Sequence, residues 1–170
     1  MKKILQGTLI ITLLLIAVNV LAQNKPLSPP DTVTTTTSKG VKITIAYSRP
    51  SIRGRKIGKE IAPYNGQPWR TGANEQTIIT VDKAINIEGH ALSAGKYSIW
   101  TIPGGNEWTV IINKNTTNWG TDYDGSKDVF RFKVKPSKAP VFHEVMKFSI
   151  DKSGRVALVW GEMLIAFVAN

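Results

Sequence analysis

The sequence predicts an all-β fold: one antiparallel domain, either a jelly-roll-like two-sheet sandwich or a flattened barrel. Three observations lead there. Apolar and polar residues alternate with a period of two through most of the chain, in runs rich in Val, Ile, Thr and aromatics. The breaks between runs carry Gly, Pro, Asn and Asp, the residues that tight turns require. Beyond the first two dozen residues, no window places apolar residues at i, i+3, i+4 and i+7, so any helix is short.

In chain order, "TVTTTT" and "VKITIAY" form an opening hairpin around Ser38-Lys39-Gly40. The alternation pauses in a polar stretch from Ser48 to Gln76 and returns in "QTIITVD", "AINIEG", "KYSIWTIP", "EWTVIINK", "DVFRFKVKP", "VMKFSID", "RVALVWG" and "EMLIAFVAN". Gly104, Gly105 and Asn106 mark a hairpin because they accept positive φ, and "DKSGR" and "WGEM" read as two further tight turns. Trp100, Trp108 and Trp160 fall inside strands, where indoles pack cores. Trp69 and Trp119 fall in turn-rich sequence and are the two to suspect of function.

The chain begins "MKKILQGTLIITLLLIAVNVLAQ", two lysines, an apolar run and small residues at Val20 and Ala22. That pattern is expected of a signal peptide cleaved after Ala22, leaving 148 of the 170 residues as one domain exported to a periplasm or beyond. Residues 23–31, "QNKPLSPPD", read as a proline-rich linker, with the domain spanning 32–170. There is no cysteine, so neither disulfides nor lipidation at a cleavage-site cysteine enter. The formal charge is +10, and +8 without Lys2 and Lys3. Such a field favours anionic envelope material and peripheral association with the envelope; nucleic acid is not expected, because export and the lack of a reader motif argue against it.

Several chemistries lack their residues. His90 and His143 are isolated in sequence, too few for a zinc site, and no metal or cofactor motif is present. No G-x-S-x-G elbow occurs, and "GRKIGKE" has the wrong spacing for a phosphate-binding loop. Asp122, Asp124 and Asp128 surround Gly125, but an EF-hand would want Gly125 two places later and an acid where Lys133 stands; a looser calcium loop and an acidic turn are the two readings, the turn being the plainer. "NTT" at Asn115 carries no weight in a bacterial setting.

What remains is "SRPSIRGRKI" with "PYNGQPWRTGANEQT". Arg49, Arg53, Arg55, Lys56, Lys59 and Arg70 outnumber Glu60 and Glu75, leaving uncompensated positive charge. Arginine forks grip carboxylate and phosphate bidentately and stack on aromatic faces. The expected site is therefore a pocket for an anionic or carbohydrate-like ligand: Arg49, Arg55 and Arg70 as forks, Trp69 or Tyr64 as platform, Asn74 and Glu75 as orienting groups. Two rivals stand beside it. Glu75, poised by Arg70 and aided by His90 or His143, could serve as an acid or base in a sugar-directed enzyme, with Glu60 or Asp122 as second carboxylate. Alternatively Arg70 pairs with Glu75 as a pin for the loop, and the protein acts through an exposed sheet edge.

These blocks, with "AGKYSIWTIPG", "EWTVIINKN", "WGTDYD" and "KDVFR", resemble the signature of a secreted bacterial family of unknown function, from about Val41 to the C-terminus. The resemblance puts the family's hallmark positions on Ser48, Arg49, Pro50, Gly54, Arg55, Pro63, Tyr64 and the whole of Trp69 to Glu75, then on Pro103, Trp108, Trp119 and Gly120. In "PYNGQPW", Asn65 intervenes where the family usually has Tyr-Gly, which shifts the loop at Tyr64. The resemblance implies an exported all-β domain and supplies no catalytic residues.

Overall fold

The computed structural model describes residues 26–170. The expected signal peptide and the first residues of the linker lie outside that range. Ten strands form: β1 (Pro30–Thr36), β2 (Lys42–Ser48), β3 (Thr77–Val81), β4 (Ile85–Ile87), β5 (His90–Leu92), β6 (Gly95–Ile102), β7 (Trp108–Asn113), β8 (Asp128–Val134), β9 (Ser137–Ile150) and β10 (Arg155–Val168). The only helical turn among the described residues is a 3-10 turn at Gly125–Lys127, capped by the Asp124 side chain. No helix in this range is long and apolar enough to cross a membrane.

The first layer is a six-stranded antiparallel sheet in the order β1-β2-β3-β6-β7-β8. It is open, with β1 and β8 at its edges, so the molecule is a sandwich and the barrel alternative falls. The β9–β10 hairpin forms the second layer. The β4–β5 hairpin extends that layer through an Ile87–Ala169 bridge and paired backbone bonds between Asn86 and Asn170.

The core lies between the layers. Ile43, Ile45, Ile79, Ile99, Val110 and Ile112 point inward from the first sheet and are fully buried, each worth about 1.5–3 kcal/mol of transfer free energy. They meet Met146, Phe148 and Ile150 of β9 and Val156, Leu158 and Trp160 of β10. Tyr47 ties the layers together: its hydroxyl donates to Asp31 Oδ2 and accepts from Phe148 N, both at 3.0 Å. Burial is the main cause that raises its pKa above the usual tyrosine value.

Three local expectations are corrected. "RVALVWG" and "EMLIAFVAN" are one strand, β10, and "WGEM" is no turn. Gly161, at φ 59°, marks an irregularity in the β9 pairing. The inward side chains before it are even-numbered (156, 158, 160) and after it odd-numbered (165, 167), so the strand changes face where the register slips, the extra residues lying on β9 between Lys138 and Lys147. The Gly104-Gly105 hairpin forms, but neither glycine has a positive φ; a Cβ at Gly104 would overlap the Glu107 carbonyl, so space is the reason. Finally, β1 begins at Pro30, inside the stretch read as linker.

Candidate functional site

The long excursion from Arg49 to Gln76 between β2 and β3 has little regular backbone pairing of its own, and ordered loops of this length usually carry a function. Its first part lies along β9: Ile52 N donates to Glu144 O and Met146 N to Pro50 O. The arginines here answer backbone carbonyls. Arg49 Nε bonds Met146 O at 3.2 Å and lies 3.5 Å from Asp31 Oδ2. Arg53 reaches Leu27 O, and Arg55 reaches Ile52 O at 2.9 Å and Ser51 O at 2.8 Å. Much of the dense charge of "SRPSIRGRKI" is thus spent on backbone carbonyls.

The second part returns along β6, where Trp69 and Thr101 exchange both backbone bonds. Trp69 turns into the core, stacked on Trp160 with centroids 6.0 Å apart, its Nε1 donating to Gly72 O. At 4 % exposure its face is covered, whereas Tyr64, the other expected platform, is 39 % exposed. The next residue, Arg70, reaches the loop that covers the outer side of β6 and β7. Thr71 and Asn74 follow at φ 55° and 57°. For a β-branched residue that is a strained conformation, held here by burial and by bonds from the Thr71 hydroxyl to Trp69 O and Thr101 Oγ1. Gly72 and Gly120 admit no side chain: a Cβ on Gly72 would crowd Thr77 Oγ1, and one on Gly120 would overlap Asn74 O and Arg70 Cδ.

Arg70 differs from the other arginines. No carboxylate among the described residues pairs with it, and its one hydrogen bond is a long one, Nη1 to Gly120 O at 3.4 Å. Its Nε is buried without an acceptor. Desolvation lowers its pKa from the ordinary arginine value, yet a guanidinium stays charged at neutral pH. The Arg70–Glu75 pair of the pin reading does not form.

Arg70 lines a cleft of about 280 Å³ together with Arg55, Glu60, Tyr64, Trp69 and Trp160, and also an adjoining cleft of about 160 Å³ with Tyr64, Trp100 and Gly120. Trp160 Nε1 is a second buried N–H without an acceptor. Of the sequence-predicted residues, Arg55, Tyr64, Trp69 and Arg70 come together here. Arg49 and Asn74 do not: Arg49 joins β9 to Asp31, and Asn74 Nδ2 bonds Ser28 O. Glu75 is exposed and lines a different cleft, with Trp119. Glu60, in the Arg70 cleft, has one oxygen occupied by Lys56 N at 2.7 Å.

Trp160 was legible as a core tryptophan but not as a site residue; only its register opposite Trp69 brings it to the cleft. His90 stacks on Phe130 at 4.8 Å, and His143 sits on β9; neither lines these clefts. The aspartates of "TDYDGSKD" serve the turn. Asp124 Oδ1 accepts from Ser126, while Asp128 accepts from Asn113, Tyr123 and Arg131. Burial and the Asp128 bond push the Tyr123 pKa up to about 12. Among the described residues, no three acids or histidines cluster as metal ligands.

Fold and cleft together define an open all-β sandwich in which the long β2–β3 excursion and β10 each bring an unpaired N–H donor, Arg70 Nε and Trp160 Nε1, to residues that line one cleft. The chain belongs to the family described as a protein of unknown function (DUF2911), which matches residues 28–168. The match takes in both layers and the whole excursion. No curated protein and no solved structure matches the chain.

Proposed function

We propose that this protein is an exported binding domain that takes a small anionic ligand, one carrying a carboxylate, phosphate or sulfate, in the Arg70 cleft. The observation that carries the reading is the pair of buried donors, Arg70 Nε and Trp160 Nε1, left without acceptors beside an open cleft. Both groups are donors only, and leaving a buried donor unmet costs about 1–3 kcal/mol, so an acceptor-rich group entering the cleft has that much to relieve. The net charge of +10 favours the approach of an anion at low salt. Tyr64 supplies an exposed face for a ring attached to the anionic group. The amino-terminal pattern supports export, and the same positive charge supports peripheral association with an anionic envelope.

A structural reading has its own observation: Arg49, Arg53 and Arg55 are committed to backbone carbonyls and act as pins. It accounts for those three and leaves Arg70 without a task. The acid–base reading draws no support from the geometry, since Glu75 and Arg70 line different clefts. The test is thermal unfolding of the protein with sulfate, phosphate, citrate or galacturonate. The melting temperature should rise with at least one anion for the native chain and not for Arg70→Met; no response to any anion refutes the reading.

A further inference from the structure

A second cleft, of about 210 Å³, lies between the start of β3 and the 115–122 loop, lined by Glu75, Gln76, Ile78, Thr116, Thr117 and Trp119 among others. Its chemistry is opposite in kind to that of the Arg70 cleft. Gln76 is 6 % exposed, and its Nε2 donates to Asn118 O at 3.0 Å. A carbonyl cannot donate, so this bond fixes which way the amide faces. Gln76 Oε1 is then a buried acceptor with no donor among the described residues.

Beside it stands an aromatic platform. Trp119 is 57 % exposed, the most exposed tryptophan of the described chain. The loop that carries it is closed by its own bonds: Asn115 Oδ1 accepts from Thr117 N and Asn118 N, both at 3.2 Å, and Trp119 O accepts from Asp122 N at 2.9 Å. The indole is thus presented to solvent on an ordered turn, where its apolar face gains by being covered. Around it, Glu75 offers an exposed carboxylate, and Thr116 and Thr117 are hydroxyl residues.

A buried neutral acceptor, an exposed carboxylate, hydroxyls and an uncovered indole suit a ligand with an apolar ring face and hydroxyl donors at its edge. We infer that this cleft is a saccharide subsite: a neutral sugar ring lies on Trp119 and donates hydroxyls to Gln76 Oε1 and Glu75. A cationic amine would also meet the acceptors, but the net charge of +10 repels it at long range and leaves a neutral sugar unaffected. The cleft is smaller than the roughly 300–1,000 Å³ of drug-sized sites, which suits one ring, with the rest of a longer glycan outside.

The experiment is titration of the protein with cellohexaose, maltohexaose, laminarihexaose and chitohexaose, followed by tryptophan fluorescence and calorimetry, with spermidine as the cationic probe. At least one oligosaccharide should bind saturably. Trp119→Ala should weaken it by about tenfold or more at an unchanged melting temperature, since the side chain is exposed, while Trp119→Phe keeps most of the affinity. Sulfate, phosphate and citrate should leave saccharide binding unaltered, which separates this site from the anion cleft. Saturable binding of spermidine alone, binding of no oligosaccharide, or equal binding by Trp119→Ala would overturn the inference.

Discussion

Replacing Arg70 with methionine separates a ligand-binding arginine from a structural pin, because methionine keeps the apolar stem and removes the guanidinium. In a pin, a buried ion pair would be broken, leaving the other charge uncompensated at a cost of about 3–5 kcal/mol. The geometry around Arg70 implies much less. Its one hydrogen bond is 3.4 Å long and goes to a neutral carbonyl, near the limit of useful geometry and worth under about 1 kcal/mol. Against that stands the penalty of holding a desolvated charge with no carboxylate beside it, which the substitution relieves. The two terms oppose, so the unliganded variant should unfold within about 1 kcal/mol of the native chain, or roughly 4 °C in Tm. The liganded state should behave otherwise. An anion present at about 100 times its Kd adds about 2.7 kcal/mol to the native chain, a rise of roughly 11 °C on the same scale, and adds nothing to Arg70→Met. Differential scanning calorimetry with and without anion reads all four states. A variant that melts many degrees lower, with a native chain that no anion stabilises, would refute the reasoning and make Arg70 a pin after all.

Tyr47→Phe leaves Asp31 and the buried Phe148 N–H without their shared hydroxyl and should cost about 1–3 kcal/mol in urea unfolding at unchanged anion response. Gly120→Ala drives a Cβ into Asn74 O and Arg70 Cδ, so it should lower Tm and abolish the anion response together, unlike Arg70→Met. Tyr123 should ionise above the ordinary tyrosine range. Its folded pKa of about 12 exceeds the usual 10, so its contribution is intact below pH 10 and lost as pH rises from 10 to 12; absorbance titration of native protein against Tyr123→Phe measures it.

Much of the fold was legible because strand pairing follows a local rule. A period of two, broken by Gly, Asn and Asp, located the β1–β2 and β6–β7 hairpins and set Ile43, Ile45 and Tyr47 on the inward face. The same rule misread Gly161, because a glycine between two apolar runs signals a turn and a bulge alike. Which of the two occurs depends on whether the partner strand continues opposite it, and β9 does. The site divided along the same line. Composition alone marked the Arg49–Glu75 stretch as a concentration of charge and aromatics. It could not say that Arg49 and Arg53 were already satisfied, because their acceptors come from Met146 and Leu27, distant in sequence.

Neighbouring residues therefore sufficed for the class of fold, most of the strands and the stretch in which charge and aromatics concentrate. Only the tertiary structure decided that Trp69 is covered by Trp160, that Glu75 belongs to a different cleft from Arg70, and that Arg70, Trp160 and Gln76 keep buried polar atoms without partners. An unmet hydrogen bond is a property of everything packed around an atom, and that packing exists only once the two layers have closed.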